Sequence, residues 1–240
     1  KVDFVIINGE NAADSGRGIT KEIFEDFLKA GADVITTGNH VWDHKDAEAI
    51  ASKDIKFLRP SNLPKDSPGK GEGIYKKKGK NFIVLNLMGN VFMKKCDDVF
   101  TEAKKFIEKF ELGNAKANFI IVDMHGEITS EKMAMGHLFD GKATMVVGTH
   151  THVPTSDYRI MEKGTAYQTD IGMCGDYNSV IGMNRENSLK KFLKDSSAEN
   201  HFPALGEATI SGLLVTADDD TGLANKVQPI ILGGSLQERI

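Results

Sequence analysis

A layered α/β fold is what this sequence predicts. Three observations carry it: apolar, β-branched runs recur along the chain, segments of helical spacing lie between them, and in two places runs pair through turn-rich hairpins instead. The runs at 2–7, 33–37, 81–87, 118–123, 143–147 and 208–217 read as strands. After the first, residues 20–30 place Ile23, Phe24, Phe27 and Leu28 on one face behind Thr20, a natural N-cap. Residues 45–52 read as a helix that Asp43 caps. The helical spacing returns at 98–110 with Val99, Phe106, Ile107 and Phe110, and 130–139 and 187–194 read as shorter helices. The hairpins are 73–87, turning at Lys78-Gly79-Lys80, and 209–231, turning at 218–222. Mixed sheets are therefore expected, part parallel and part antiparallel. The loop-like stretch 61–73 is too short for a domain linker and no internal repeat is visible, so residues 1–240 read as a single domain.

Composition narrows the function. A chain of 240 residues with 40% hydrophobic and 27% charged residues reads as an ordinary soluble globular protein. A net charge of -4 gives no electrostatic case for nucleic acid as a bulk partner. No run approaches the roughly 18 apolar residues of a membrane span. Cys96 and Cys174 do not form a disulfide framework and read as buried or half-buried thiols, which suits a reducing cytosol. No secretory signal is visible, although the sequence begins at Lys1 rather than Met, and a cytoplasmic location is the expectation.

The chemistry lies in the turns at the strand ends. Gly9-Glu10-Asn11, Gly38-Asn39-His40, Met124-His125-Gly126-Glu127 and Thr149-His150-Thr151-His152 each close an apolar run. Singly these are weak signals: Gly-Glu-Asn and Gly-Asn-His are ordinary turns, and a lone His125 is more often a satisfied core histidine. His150 and His152 are stronger, because residues i and i+2 of an extended segment point the same way and both can reach a metal. Strand ends of one sheet converge, and ligands bind there in α/β proteins. Of the seven histidines, His44, His137 and His201 lie outside these turns and read as surface groups, with His44 the best placed for an outer role. Carboxylate, amide oxygen and imidazole together suit Mn, Fe or Zn rather than Ca, and the absence of thiolate disfavours a structural zinc site. Two such ions roughly 3.5–4 Å apart clamp a phosphoryl group and hold a hydroxide for in-line attack. Asn39 then offers oxygen to metal, while His40 turns elsewhere and protonates the leaving oxygen.

The motifs NGEN, GNHVWDH, DMHGE and GTHTHV, in this order, resemble those of the calcineurin-like metallophosphoesterases. Gly-Glu-Asn and Gly-Asn-His-Val-Trp-Asp, in place of that superfamily's usual Gly-Asp-x-x-Asp and Gly-Asn-His-Asp/Glu, are similar to its YmdB-like branch. The likeness continues through HGEITSEKMAMGHLFDGKATMVVGTHTHVPTSDYRI and GTAYQTDIGMCG. It implies a sandwich of two mixed β-sheets flanked by helices, and a phosphodiesterase acting on substrates such as 2′,3′-cyclic nucleotides. It implies two divalent or mixed-valence transition metals, Fe or Mn first and Zn next. Glu10 would bridge them, Asn39, His125 and His150 would complete one shell, His152 would serve the other, and Asn11 would lie beside that second ion. His40 would be the catalytic proton donor. Asp123 and Glu127 would be structural or outer groups, and Asp170 and Met173 would line the rim. The partners implied are a small phosphodiester substrate and further copies of the chain, as a homodimer or homotetramer, with no membrane. The family also begins with a strand ending in Gly-Asp, followed by a helix, whose Asp binds the ion that His152 serves. The sequence starts instead at the family's second strand, so the expectation is a longer polypeptide with about 25–30 preceding residues.

Two other functions stay open on the residues alone. A phosphomonoesterase or nucleotidase uses the same metals with a different leaving-group pocket. A regulatory nucleotide- or metal-binding protein would keep the site with incidental turnover.

Overall fold

The computed structural model describes residues 2–239. The first sheet is parallel, ordered β1 (Ile6–Asn8), β2 (Val34–Thr36), β3 (Phe57–Leu58). Helices α1 (Lys21–Ala30) and α2 (Ala47–Lys53) make its crossovers. The second sheet is mixed, with six strands ordered β4-β5-β6-β7-β9-β8. These are β4 (Glu72–Lys77), β5 (Lys80–Met88), β6 (Phe119–His125), β7 (Met145–Thr149), β8 (Arg159–Ile160) and β9 (Ala166–Gln168). Helices α3 (Val99–Lys109) and α4 (Thr129–Phe139) cross between its parallel strands, and α5 (Arg185–Phe192) precedes a separate antiparallel pair, β10 (Ile210–Ala217) and β11 (Ala224–Leu232).

The local chemistry explains these elements. Thr20 accepts the Ile23 N–H at 3.1 Å to start α1, and Gly31 ends it in left-handed backbone at φ 112°. Asp98 caps α3 in the same way through Thr101. Lys78 and Gly79, both at positive φ, close the β4–β5 hairpin.

Three apolar layers hold the elements together. Phe24, Ile50 and Phe57 pack α1 and α2 on the first sheet. Leu87, Phe106, Val122 and Met135 pack α3 and α4 on the second. Between the sheets, Val34 and Leu58 meet Phe82, Val84, Phe119 and Ile121. Asn86 stitches the same layer, donating from Nδ2 to the carbonyls of Thr37 (2.9 Å) and Leu58 (3.1 Å).

Several sequence expectations change. The first sheet is wholly parallel, not mixed, because both of its connections are helical crossovers. The first strand is Ile6–Asn8 rather than 2–7, since Phe4 stacks on Phe82 at 4.3 Å and its segment joins no ladder. β3, β8 and β9 are strands of two or three residues, too short to show periodicity. Asp43 does not cap α2: Asp46 stands at that position, and its carboxylate accepts from Lys21 N–H instead. Cys174 is exposed rather than buried, while Cys96 is half-buried. Among the described residues, no helix is long and apolar enough to cross a membrane.

Candidate metal centre and active site

Side-chain alternation builds the site. On β6, Ile120, Val122 and Met124 face the α3–α4 layer, while Phe119 and Ile121 face the first sheet. Continuing that inner face toward the strand's carboxyl end gives Asp123 and then His125, both buried. The same change from apolar to polar runs along β1 and its turn (Ile6, Asn8, Glu10), β2 (Val34, Thr36) and β7 (Met145, Val147, Thr149). The carboxyl ends of four strands from two sheets thus bring polar groups into one buried layer. Gly38 makes room there: a Cβ on it would lie 2.2 Å from His125 Nε2 and 2.5 Å from Glu10 Oε1.

Asp123 anchors the layer. Its Oδ2 accepts from Thr36 Oγ1 (2.6 Å) and Asn8 Nδ2 (3.0 Å), and its Oδ1 accepts from Thr149 Oγ1 (2.8 Å). A Thr149 hydroxyl that donates to Asp123 is left to accept at His125 Nδ1, 2.9 Å away. His125 therefore holds a proton on Nδ1 and turns Nε2 into the site.

Around that nitrogen lie Glu10 Oε2 at 2.9 Å, Asn39 Oδ1 at 3.0 Å and His150 Nδ1 at 3.1 Å. His150 Nε2 is 3.1 Å from Glu127 Oε2, so its proton goes to Glu127 and its Nδ1 is bare. Burial and the neighbouring His125 push His150 down to about 4, which keeps the ring neutral at pH 7. Burial works to raise the Glu10 carboxyl, but His125 and the His40 N–H (2.8 Å to Oε1) outweigh it and bring it down to about 2. His125 is raised in turn, Glu10 outweighing its burial. Lone-pair atoms facing one another at this range need a cation between them, either a second proton on His125 or a metal ion. Glu10, His125 and His150 offer ligand atoms all within 4.8 Å of one another, a set that fits a transition metal.

A second position lies alongside. His152 Nδ1 donates to Ile181 O at 2.7 Å, which frees Nε2, and Asn11 Nδ2 lies 3.2 Å from that nitrogen. Asn11 Oδ1 is buried with no hydrogen-bond partner among the described residues. Turning the Asn11 amide over would present its oxygen beside His152 Nε2, which fits a second cation.

His40 stands apart from both positions. Its Nδ1 is 2.6 Å from Asp43 Oδ2, and Lys94 Nζ lies 3.1 Å from the other Asp43 oxygen. A proton shared with Asp43 on Nδ1 leaves Nε2 for substrate. Burial raises the Asp43 carboxyl, while the bonds from His40 and Lys94 outweigh it and hold it low.

The structure thus gathers Glu10, Asn39, His125 and His150, sets Asn11 with His152, and keeps His40 nearby. Glu127 bonds His150 directly, whereas Asp123 reaches His125 only through Thr149. His44 takes no part: its Nδ1 accepts from Asp46 N–H at 3.3 Å. Asp170 is fully buried and bonded to Lys132, so it does not line the rim, and Met173 is half-buried. Asn8, Thr36, Thr149 and the bond from Asp43 to His40 escaped the sequence reading. The alternation that runs Ile6-Asn8-Glu10 and Val147-Thr149 was the available signal.

A family model described as "YmdB-like protein" matches residues 1–230. The 2',3'-cyclic-nucleotide 2'-phosphodiesterase of Bacillus subtilis (strain 168) is 43% identical over 232 residues, covering 97% of this chain and 86% of that protein. A solved structure of a hypothetical protein from Thermus thermophilus superposes with a TM-score of 0.88 at 37% identity, over 98% of this chain and 89% of that one. A structure described as a novel phosphatase from Mycoplasma pneumoniae gives a TM-score of 0.87 at 35% identity, over 96% and 82%.

Proposed function

The chain belongs to the YmdB-like family, and on that premise we propose that it is a two-metal phosphodiesterase that opens 2′,3′-cyclic nucleotides. The activity named for the Bacillus relative at 43% identity supports the reaction class. The observation that carries the reading is the convergence of Glu10, Asn39 and His150 on His125 Nε2, at 2.9–3.1 Å, with His40 alongside. Glu10, Asn39, His125 and His150 would hold one ion, and Asn11 and His152 would help hold the other, with Glu10 serving both. Fe or Mn suits this mixed oxygen and nitrogen set, and Zn is the next choice. Bound there, two such ions would polarise the phosphoryl oxygens and would make water acidic enough to serve as nucleophile at neutral pH.

The remaining work falls to the chain's own residues. The Asp123–Thr149 relay keeps His125 in one tautomer, and Glu127 does the same for His150. Asp43 orients His40, whose Nε2 carries the proton to the departing ribose oxygen. We read residues 1–240 as a single sandwich domain, a reading that the apolar layer between the two sheets supports. We place the enzyme in the cytoplasm, as a homodimer or homotetramer.

The test is metal content together with hydrolysis of 2′,3′-cyclic AMP and bis-p-nitrophenyl phosphate by Mn-loaded protein. Turnover of both is expected, with His40→Asn lowering kcat by about 10²–10⁴-fold at unchanged metal content. Loaded protein that cleaves neither ester sinks the proposal. Faster release of nitrophenol from the monoester p-nitrophenyl phosphate would move it to the phosphomonoesterase class.

A further inference from the structure

Two residues of the His-x-His turn have backbone that side-chain-bearing residues rarely adopt: His150 at φ 108° and His152 at φ 67°. Such backbone persists only where surrounding contacts over-determine it. Between the two stands Thr151, and both of its donors are taken by one oxygen. Asp170 Oδ2 accepts the Thr151 N–H at 3.0 Å and the Thr151 hydroxyl at 2.8 Å. The same oxygen accepts from Lys132 Nζ at 2.9 Å, and that ammonium also lies 3.4 Å from the Thr149 carbonyl.

The clasp is built to stay fixed. Lys132 and Asp170 are both 0% exposed, an ion pair taken out of water in which each charge depends on the other. Asp170 Oδ1 accepts from Gly172 N–H at 2.9 Å, and the Asp170 N–H donates to Thr155 Oγ1 at 2.9 Å. Gly148 admits the strap: a Cβ there would meet Thr169 O at 1.7 Å and the Lys132 side chain at 2.6 Å.

We propose that the buried Lys132–Asp170 pair, acting through Thr151, is a positioning device that locks the His150–His152 turn in left-handed backbone and so aims both rings at the metal positions. Lys132, Thr151 and Asp170 are positioning residues rather than ligands. The inference rests on the two-metal reading of the same site.

Removing Lys132 or Asp170 alone would strand a buried charge and unfold the chain, so the test uses Thr151. Thr151→Val keeps the shape and the ion pair but loses the hydroxyl bond, whereas Thr151→Ser keeps the hydroxyl. Cobalt(II) is the probe, followed by its visible absorption and by titration calorimetry on the whole chain. Thr151→Val is expected to raise the cobalt Kd about 10–100-fold and to change the absorption band, which reports ligand geometry. Thr151→Ser is expected to restore both, and all three metal-free proteins should melt within about 2 °C of one another. Val binding cobalt as the unaltered chain does, or Ser failing as Val does, overturns the positioning role. An unaltered chain that takes up no cobalt overturns the two-metal reading, and this inference with it.

Discussion

At the Glu10–His125 position proposed for one ion, four potential ligand atoms lie together, while at the position proposed for the other, Asn11 and His152 offer two. Glu10 and His125 of the first set are buried while Asn39 and His150 are half-buried, and the His125 ring is fixed by a relay that reaches both sheets through Asp123. The second is half-buried, its amide is turned the wrong way for a metal, and apart from Asn11 the His152 ring bonds only the Ile181 carbonyl among the described residues, at 2.7 Å on a loop. Ligands carried on strand ends with outer partners are held more firmly than ligands on loops. The difference predicts stepwise loading, with the Glu10–His125 position filling first and more tightly.

The largest expected effect comes from breaking the tighter position. His125→Ala removes the atom on which the other ligands converge, and a titration followed by calorimetry should lose the high-affinity phase altogether. That loss exceeds the roughly 10–100-fold expected when only an outer partner is removed. Thr149→Val is that milder case: it leaves His125 in place but takes away the acceptor at Nδ1, 2.9 Å off. Its metal affinity should fall about 10–100-fold at the first phase only. Equal losses at both phases would mean that the two positions are not independently built.

The same asymmetry governs how much was legible beforehand. The ligands announced themselves as Gly-Glu-Asn, Gly-Asn-His and His-x-His turns behind apolar runs, because a strand end followed by polar residues is a local pattern. The long helices were equally plain, since the Thr20 and Asp98 caps and the apolar spacing behind them are local too. The partners were not. Thr36 and Thr149 look like ordinary β-branched strand residues; only the packing of the two sheets brings Thr36 to Asp123, 87 residues away, and only the pairing of β6 with β7 brings Thr149, 26 residues away. Asp43 looked like a helix cap, because nothing local distinguishes that role from a bond to His40 three residues back. Lys132 gave the opposite signal to its fate: a lysine in a helix ordinarily reads as exposed, yet it is buried against Asp170, 38 residues on.

Asn11→Ala sharpens the contrast from the weaker side. It removes the buried Oδ1, which has no hydrogen-bond partner among the described residues, so the fold should lose little and the second phase of metal uptake should weaken about tenfold, less than either change above. Hydrolysis should fall with that second phase, while the first phase keeps its affinity. A first phase that weakens equally would show that one ligand set serves both ions.

The smallest effect is on the stability of the metal-free protein in acid, where the two depressed groups of the first position act in different pH windows. His150, near 4 when folded against 6.5 ordinarily, binds more protons unfolded than folded between those values. Its contribution is therefore complete above pH 6.5 and is lost as pH falls toward 4. Glu10, near 2 when folded against 4.5, contributes fully above 4.5 and loses that contribution as pH falls toward 2. Urea midpoints measured from pH 7 downward should decline in two overlapping stages, and Glu10→Gln should flatten only the lower one. His152 is bonded through a loop carbonyl instead, so His152→Ala should leave both stages in place. If that variant flattens the upper stage, the acid response does not belong to the Glu10–His125 position, and the distinction between a prebuilt and a half-built metal position fails with it.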